Sequence, residues 1–280
     1  MRELSLQEIQ KVELDILKVV ANICEKENIR YFLHYGTLIG AIRHEGFIPW
    51  DDDLDVVMPR PDYERFLSYC RNHANEIQPL ELMHYTTNKS YIFPIARVSD
   101  SRFYVNYEGK KDYGLGVFVD IYPFDGCGNT KEEAKEICKR NSNDISIISS
   151  GGRNYFEKSP GGLKRNIVKF LLYCYTNVFG LKQIIKHLDT ESRKHIFEKD
   201  NLSYCTIWGT SSQWSQNRSD FESYIYAKFE DAEFRIFKNY DEVLRIIYGD
   251  YMKLPPEEKR IGHHYYKAYI KELQKFGGEK

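Results

Sequence analysis

The run Trp50-Asp51-Asp52-Asp53-Leu54-Asp55 places four carboxylates within five residues. Ile48 and Pro49 precede it and Val56, Val57 and Met58 follow, so the acids belong to an element entering a core rather than to a solvated face. Side chains at i and i+2 of a strand share a face. A strand through this run would present Asp51, Asp53 and Asp55 together and turn Asp52 and Leu54 away. Clustered like charges are costly without a cation, and hard carboxylate oxygens suit Mg²⁺ or Mn²⁺. Asp52, on the opposite face, is then the acid least expected at the metal. An EF-hand loop is excluded: its sixth position needs glycine and holds Val56, and Pro59 and Pro61 would fall inside it.

Two further features point to related chemistry. Gly36-Thr37 reads as a small-residue turn ahead of a short helix, where backbone N–H groups can hold phosphate oxygens. Asp120 is a lone acid in the apolar stretch Phe118-Val119-Asp120-Ile121, and a buried acid needs a partner. A metal shared with Asp53 and Asp55 would supply one; a structural bond to backbone or to an arginine is the alternative. Together the glycine turn, the D-x-D pair and a third acid on a neighbouring strand describe a metal-dependent phosphoryl-transfer site. Arg43 and Arg97 are candidates for neutralising phosphate charge, with structural ion pairs as their alternative role.

The elements that must position these residues are legible in outline. Ser5 and Glu8 form a capping-box pair at the start of an amphipathic helix over 5–28, with Leu6, Ile9, Val12, Ile16, Val19, Val20 and Ile23 at helical spacing. Residues 31–35 form a short strand and 36–43 a turn and short helix. The acidic strand follows and ends at Pro59 and Pro61. Residues 62–77 read as a helix, then 80–85, 92–98, 103–107 and 117–121 as strands. Thr130 caps a helix over 131–147. Residues 163–200 read as helical, 203–237 as aromatic-rich strands, 240–248 as a short helix, and 257 to about 273 as a last helix. The expected organisation is α+β, with a catalytic half over 1–125 and a more helical half over 126–280. The Gly/Pro-rich loop near 150–162 is either a hinge or an excursion within one continuous domain.

The chain has 280 residues and a net charge of −1, so no global field favours nucleic acid. The six cysteines are scattered without a C-x-x-C pair, which argues against a zinc site and for reduced, buried thiols. The N-terminus has no apolar signal segment, and a cytoplasmic location is expected. The apolar and basic stretch Leu163–Leu188 has two readings: a core helix pair with solvated lysines, or a peripheral contact with the inner face of the cell membrane.

With these residues identified, the chain resembles the LicD family of phosphocholine transferases. The segment from Tyr35 through Gly36-Thr37, Arg43-His44 and Trp50 to Asp55 carries the resemblance, supported by Phe118–Asp125. A third block runs from Tyr248 to Pro256 with Lys259-Arg260 and His263-His264. The resemblance implies a nucleotidyltransferase-like mixed sheet flanked by helices, with helical C-terminal additions. It implies metal ligands at Asp53, Asp55 and Asp120, with Asp51 as a weaker fourth, and substrate contacts from Gly36, Thr37, Arg43, Trp50, Arg97, Arg260 and His263. The implied reaction moves phosphocholine, or a related substituted phosphate, from CDP-choline or a similar CDP-linked donor to a hydroxyl of a cell-surface glycan or its lipid-linked precursor, releasing CMP. Asp51 or Asp120 would take the proton. Trp50, Tyr35 and Tyr122 are aromatic candidates for the choline ammonium, or simply packing residues. Nucleotidyl transfer and a catalytically inactive nucleotide- or glycan-binding module are the competing functions.

Overall fold

A computed structural model describes residues 1–151, 155–156, 158, 162–209, 211–262 and 266–271. The elements are β1 (Arg2–Glu3), α1 (Leu6–Lys26), β2 (Phe32–Leu33), α2 (Tyr35–His44), β3 (Asp55–Pro59), α3 (Arg60–Asn72), β4 (Leu80–Met83), β5 (Ala96–Asp100), β6 (Phe103–Tyr107) and β7 (Val117–Gly126). The second half adds α4 (Lys131–Ser150), α5 (Gly162–Phe179), α6 (Lys182–Ser192), β8 (Leu202–Tyr204), β9 (Gln216–Asn217), β10 (Tyr224–Phe229), β11 (Ala232–Phe237), α7 (Tyr240–Tyr248) and β12 (Tyr266–Ile270).

The protein is α+β. Its main sheet has the order β2-β3-β7-β5-β4, and β8 extends it from the far end of β7. β7 is central because its apolar residues, from Val117 through Phe124, can be buried on both faces. It runs parallel to β3 and antiparallel to β5. The register sets Asp55 opposite Asp120 and Asp120 opposite Arg97, so three charged residues form one row across three strands. α1 and α3 pack on this sheet. Helix α1 starts where the capping box requires: Glu8 N–H donates to Ser5 Oγ and Ser5 N–H donates to the Glu8 carboxylate, at 3.3 and 2.9 Å. One apolar core extends from Leu4 to Ala268 and includes Ile185, Leu188, Phe221 and Phe237 from the second half. No described helix is long and apolar enough to cross a membrane.

Four expectations need correction. The acidic run is not a strand: Asp51 N–H closes a turn on the Ile48 carbonyl at 2.9 Å, and the ladder starts at Asp55. Successive aspartates have poor strand propensity and favour local turns. The 92–98 strand begins only at Ala96, because Pro94 cannot donate to a ladder. The helix expected over 62–77 spans Arg60–Asn72 instead. In place of the last helix, Glu257–Lys259 make one 3₁₀ turn and β12 inserts between β1 and β6. Tyr and Ile in that segment favour a pleated surface, and Ala268 is buried there.

Candidate functional site

Helix α2 and the turn before β3 build the site. His34 caps α2, its Nδ1 accepting the Tyr35 N–H at 2.7 Å while the Gln216 side-chain amide lies 2.5 Å from its Nε2. Burial pushes this imidazole down to about 3, so it stays neutral at physiological pH. The cap holds Tyr35 in a left-handed conformation, φ 46°, which is strained for an aromatic residue. That bend brings Gly36 against the acidic turn. A Cβ on Gly36 would stand 2.8 Å from Asp51 Oδ2, so only glycine allows this approach. Thr37 Oγ1 accepts the Asp55 N–H at 2.8 Å. Gly36 thus abuts the Asp51 carboxylate, and Thr37 holds the Asp55 backbone.

Asp51, Asp52 and Asp53 bring carboxylate oxygens within 4.8 Å of one another. Asp52 is part of this group, contrary to the strand expectation, because a turn has no two-residue alternation. The turn is held from outside: Gln10 Nε2 donates to the Asp51 carbonyl and the Tyr266 hydroxyl to the Asp52 carbonyl, both at 2.8 Å. Asp55 lies next in line, with Oδ1 buried and without a hydrogen-bond partner among the described residues. Burial, then repulsion from Asp53, Asp120 and Asp51, pushes its carboxyl well above the usual range.

Asp120 adjoins Asp55 across the sheet but has a protein partner. Arg97 Nε donates to its Oδ1 at 2.5 Å, and the Tyr122 hydroxyl lies 3.4 Å from Oδ2. The Arg97 guanidinium is sandwiched 4.1 and 4.0 Å from the Phe93 and Phe118 ring centroids and also donates to the Tyr107 hydroxyl. Arg97 thus pairs with Asp120 and positions it. Arg43 donates to the Tyr251 carbonyl at 2.6 Å and to His44 at 2.9 Å, tying α2 to the segment after α7. Trp50 stacks under Arg260, whose guanidinium is 5.7 Å from the ring centroid and whose Nε donates to the Pro255 carbonyl. This contact brings the C-terminal segment to the rim of the acidic turn, where a Cβ on Gly262 would stand 3.3 Å from the Trp50 carbonyl. His263 lies outside the described residues.

Sequence reasoning missed Glu13. It is fully buried on α1, and neither carboxylate oxygen has a hydrogen-bond partner among the described residues. Burial pushes it well above the usual range, with Asp53, Asp52, Asp51 and Asp120 adding repulsion. The available signal was its place on the apolar face, four residues from both Ile9 and Leu17. Asp51, Asp52 and Asp53 offer an all-oxygen donor set, backed by buried carboxyl oxygens on Asp55 and Glu13 that lack partners among the described residues. Those residues fit a hard divalent cation such as Mg²⁺ or Mn²⁺. Tyr35 and Tyr122, with ring centroids 5.5 Å apart in edge contact, form an aromatic wall beside Asp55.

Comparison with known proteins adds three relationships. Residues 28–147 match the family described as LicD/FKTN/FKRP, nucleotidyltransferase domain. The lipopolysaccharide cholinephosphotransferase LicD of Haemophilus influenzae is 32% identical over 278 residues, covering 96% of this chain and 100% of that protein. An uncharacterised Rickettsia prowazekii protein, RP689, is 29% identical over 146 residues, covering 43% of this chain and 53% of its own length.

Proposed function

The chain belongs to the LicD family, and from that membership we propose that it transfers phosphocholine from a CDP-linked donor to a hydroxyl of a cell-surface glycan, releasing CMP. The observation that carries the reading is the end-to-end match to a cholinephosphotransferase. The clustered carboxylates of Asp51, Asp52 and Asp53, with Asp55 beside them, supply the chemistry this reaction requires. A divalent cation bound there supplies positive charge for the donor diphosphate and the departing phosphate.

The protein groups divide the remaining work. Asp53 and Asp55 would help hold that cation for the donor diphosphate. Asp120 keeps the row of charge in place, oriented by Arg97. Asp51, which Gly36 approaches closely, or Asp120, held by Arg97, takes the proton of the attacking hydroxyl. Burial keeps the phenols of Tyr35 and Tyr122 protonated. Their neutral rings present π faces suited to the quaternary ammonium of choline.

The reading is tested by incubating purified protein with CDP-choline, Mg²⁺ and a glycan acceptor, then identifying both products. CMP formed in step with a phosphocholine-bearing glycan supports it. Release of free phosphocholine with a CMP-bearing glycan, or no donor consumption across a panel of glycans, would overturn it.

Gly36→Ala gives a sharper expectation. The new methyl group would displace the Asp51 carboxylate, whereas alanine is the better helix former. Turnover should fall on the order of a hundredfold, the scale of a misplaced catalytic group. The unfolding temperature should stay near that of the wild type. Parallel kinetics and thermal melts check this, and a variant that turns over normally would remove Asp51 from the reaction.

A further inference from the structure

Helix α5 carries its apolar residues on the wrong side for a soluble protein. Leu163, Ile167, Leu171 and Val178 recur at helical spacing and are 78, 50, 61 and 73% exposed. The opposite side is mixed and partly covered: Thr176 is buried, and Asn166, Leu172 and Tyr173 are half-buried. Phe156 covers part of that inner side, its ring 5.2 Å from Phe170 and 5.9 Å from Tyr173. Among the described residues no other helix or strand packs extensively along α5. A surface helix normally turns its apolar stripe inward, and a contiguous exposed stripe of this kind marks an interaction surface.

Charge selects the partner. Lys164 and Arg165 are exposed in the first turn, Lys169 follows, and Gly162–Phe179 contains no acidic residue. Cations at a helix N-terminus oppose the helix dipole, so helix stability does not account for them. A second copy of the chain would bring three more cations and no acid to the contact. An anionic lipid surface supplies both an apolar layer and negative charge, and a basic, apolar helix lying in the headgroup plane satisfies both.

We propose that α5 is an in-plane membrane anchor that docks the protein onto anionic bilayers through Leu163, Ile167, Leu171 and Val178, with Lys164 and Arg165 on lipid phosphates. The inference stands apart from the transfer reaction, since it uses no residue of the acidic site.

Co-sedimentation of the full chain with vesicles tests it, using phosphatidylcholine alone and phosphatidylcholine mixed with phosphatidylglycerol. Wild type should sediment with the mixed vesicles, weakly with the neutral ones, and less at high salt. The double variant Lys164→Glu/Arg165→Glu should lose affinity on the order of a hundredfold, and Leu171→Asp should lose binding as well. These side chains are exposed, so both variants should melt at the wild-type temperature. Wild type failing to bind the mixed vesicles, or either variant binding as wild type does, would refute the anchor. A dimer in solution that Leu171→Asp dissolves would assign the face to a second copy instead.

Discussion

Asp55→Asn should abolish phosphocholine transfer and make the metal-free protein more stable than wild type. Activity should fall because the change removes a carboxylate that would help hold the cation for the donor diphosphate. Losing one preorganised electrostatic group of this kind costs on the order of a hundred- to a thousandfold. Stability should rise because the wild-type carboxyl is buried among Asp53, Asp120 and Asp51, with Oδ1 lacking a partner. Asparagine keeps the shape, removes the repulsion, and can donate to the neighbouring carboxylates. Relief of a poorly compensated buried polar group is worth about 1–3 kcal/mol.

The pH dependence follows from the same groups. Asp55 and Glu13 both have folded-state pKa values raised well above their ordinary ones. Their contribution to stability is therefore fully present below the unfolded-state values of about 4. It is lost as pH rises from there through the folded-state values, because the folded protein retains protons that the unfolded chain has released. Metal-free wild type should melt at a lower temperature near pH 8 than near pH 5 on this account, and Asp55→Asn should show a shallower decline. Added Mg²⁺ should raise the wild-type melting temperature most at the higher pH, since the deprotonated acids bind the cation. Melts with chelator and with Mg²⁺ at several pH values measure this. A lower metal-free stability for Asp55→Asn would contradict the picture of an uncompensated acid.

Asp125→Ala should be among the most destabilising single changes, costing about 3–5 kcal/mol. Asp125 lies near the end of the buried strand β7 but takes no part in the acidic site. Its carboxylate receives Arg60 Nε and Nη2 at 2.6 and 2.7 Å, in the paired geometry of an arginine fork. Arg60 Nη1 reaches Asp189 at 3.1 Å, and Asp189 accepts from the Tyr85 hydroxyl and from Arg193 at 2.8 and 2.7 Å. The network clamps α3, β7 and α6 together. Removing Asp125 strands the buried Arg60 beside Asp189 at 3.1 Å and the more distant Glu64 at 3.5 Å, both on the same Nη1. Replacing both partners by apolar residues, as in Arg60→Met/Asp125→Leu, should cost much less than Asp125→Ala, because no unpaired charge remains buried. Denaturant titrations of the three proteins decide this. A loss below about 1 kcal/mol for Asp125→Ala would mean that the network contributes only at surface strength.

The local patterns were the readable part of the chain. The Ser5/Glu8 capping box and the spacing of Ile9, Ile16 and Val20 mark α1 because helix capping and amphipathicity act within one or two turns. Alternation and turn signals mark β6 as drawn and place β7, although β7 continues past Ile121 to Gly126. Where a distant partner decides, local reading failed. The segment at 266–270 became a strand because β1 and β6 offered an edge between them, and nothing adjacent in sequence announces that edge. Glu13 has the period of a core residue and the chemistry of a surface one, a conflict that only packing resolves.

The amino-acid sequence by itself determined the chemical inventory: the acids from Asp51 to Asp55, the glycine at 36 that permits close approach, and Asp120 within an apolar strand. These follow from residue type and spacing, which are local properties. Tertiary structure alone decided how the inventory is used. The register of β3, β7 and β5 aligned Asp55, Asp120 and Arg97, which paired Arg97 with Asp120. The turn in place of a strand gathered Asp52 with its neighbours, and the packing of α1 set Glu13 behind them. The physical reason is common to all three: a buried charge takes its role from the groups within a few ångströms, and the fold draws those groups from distant parts of the chain.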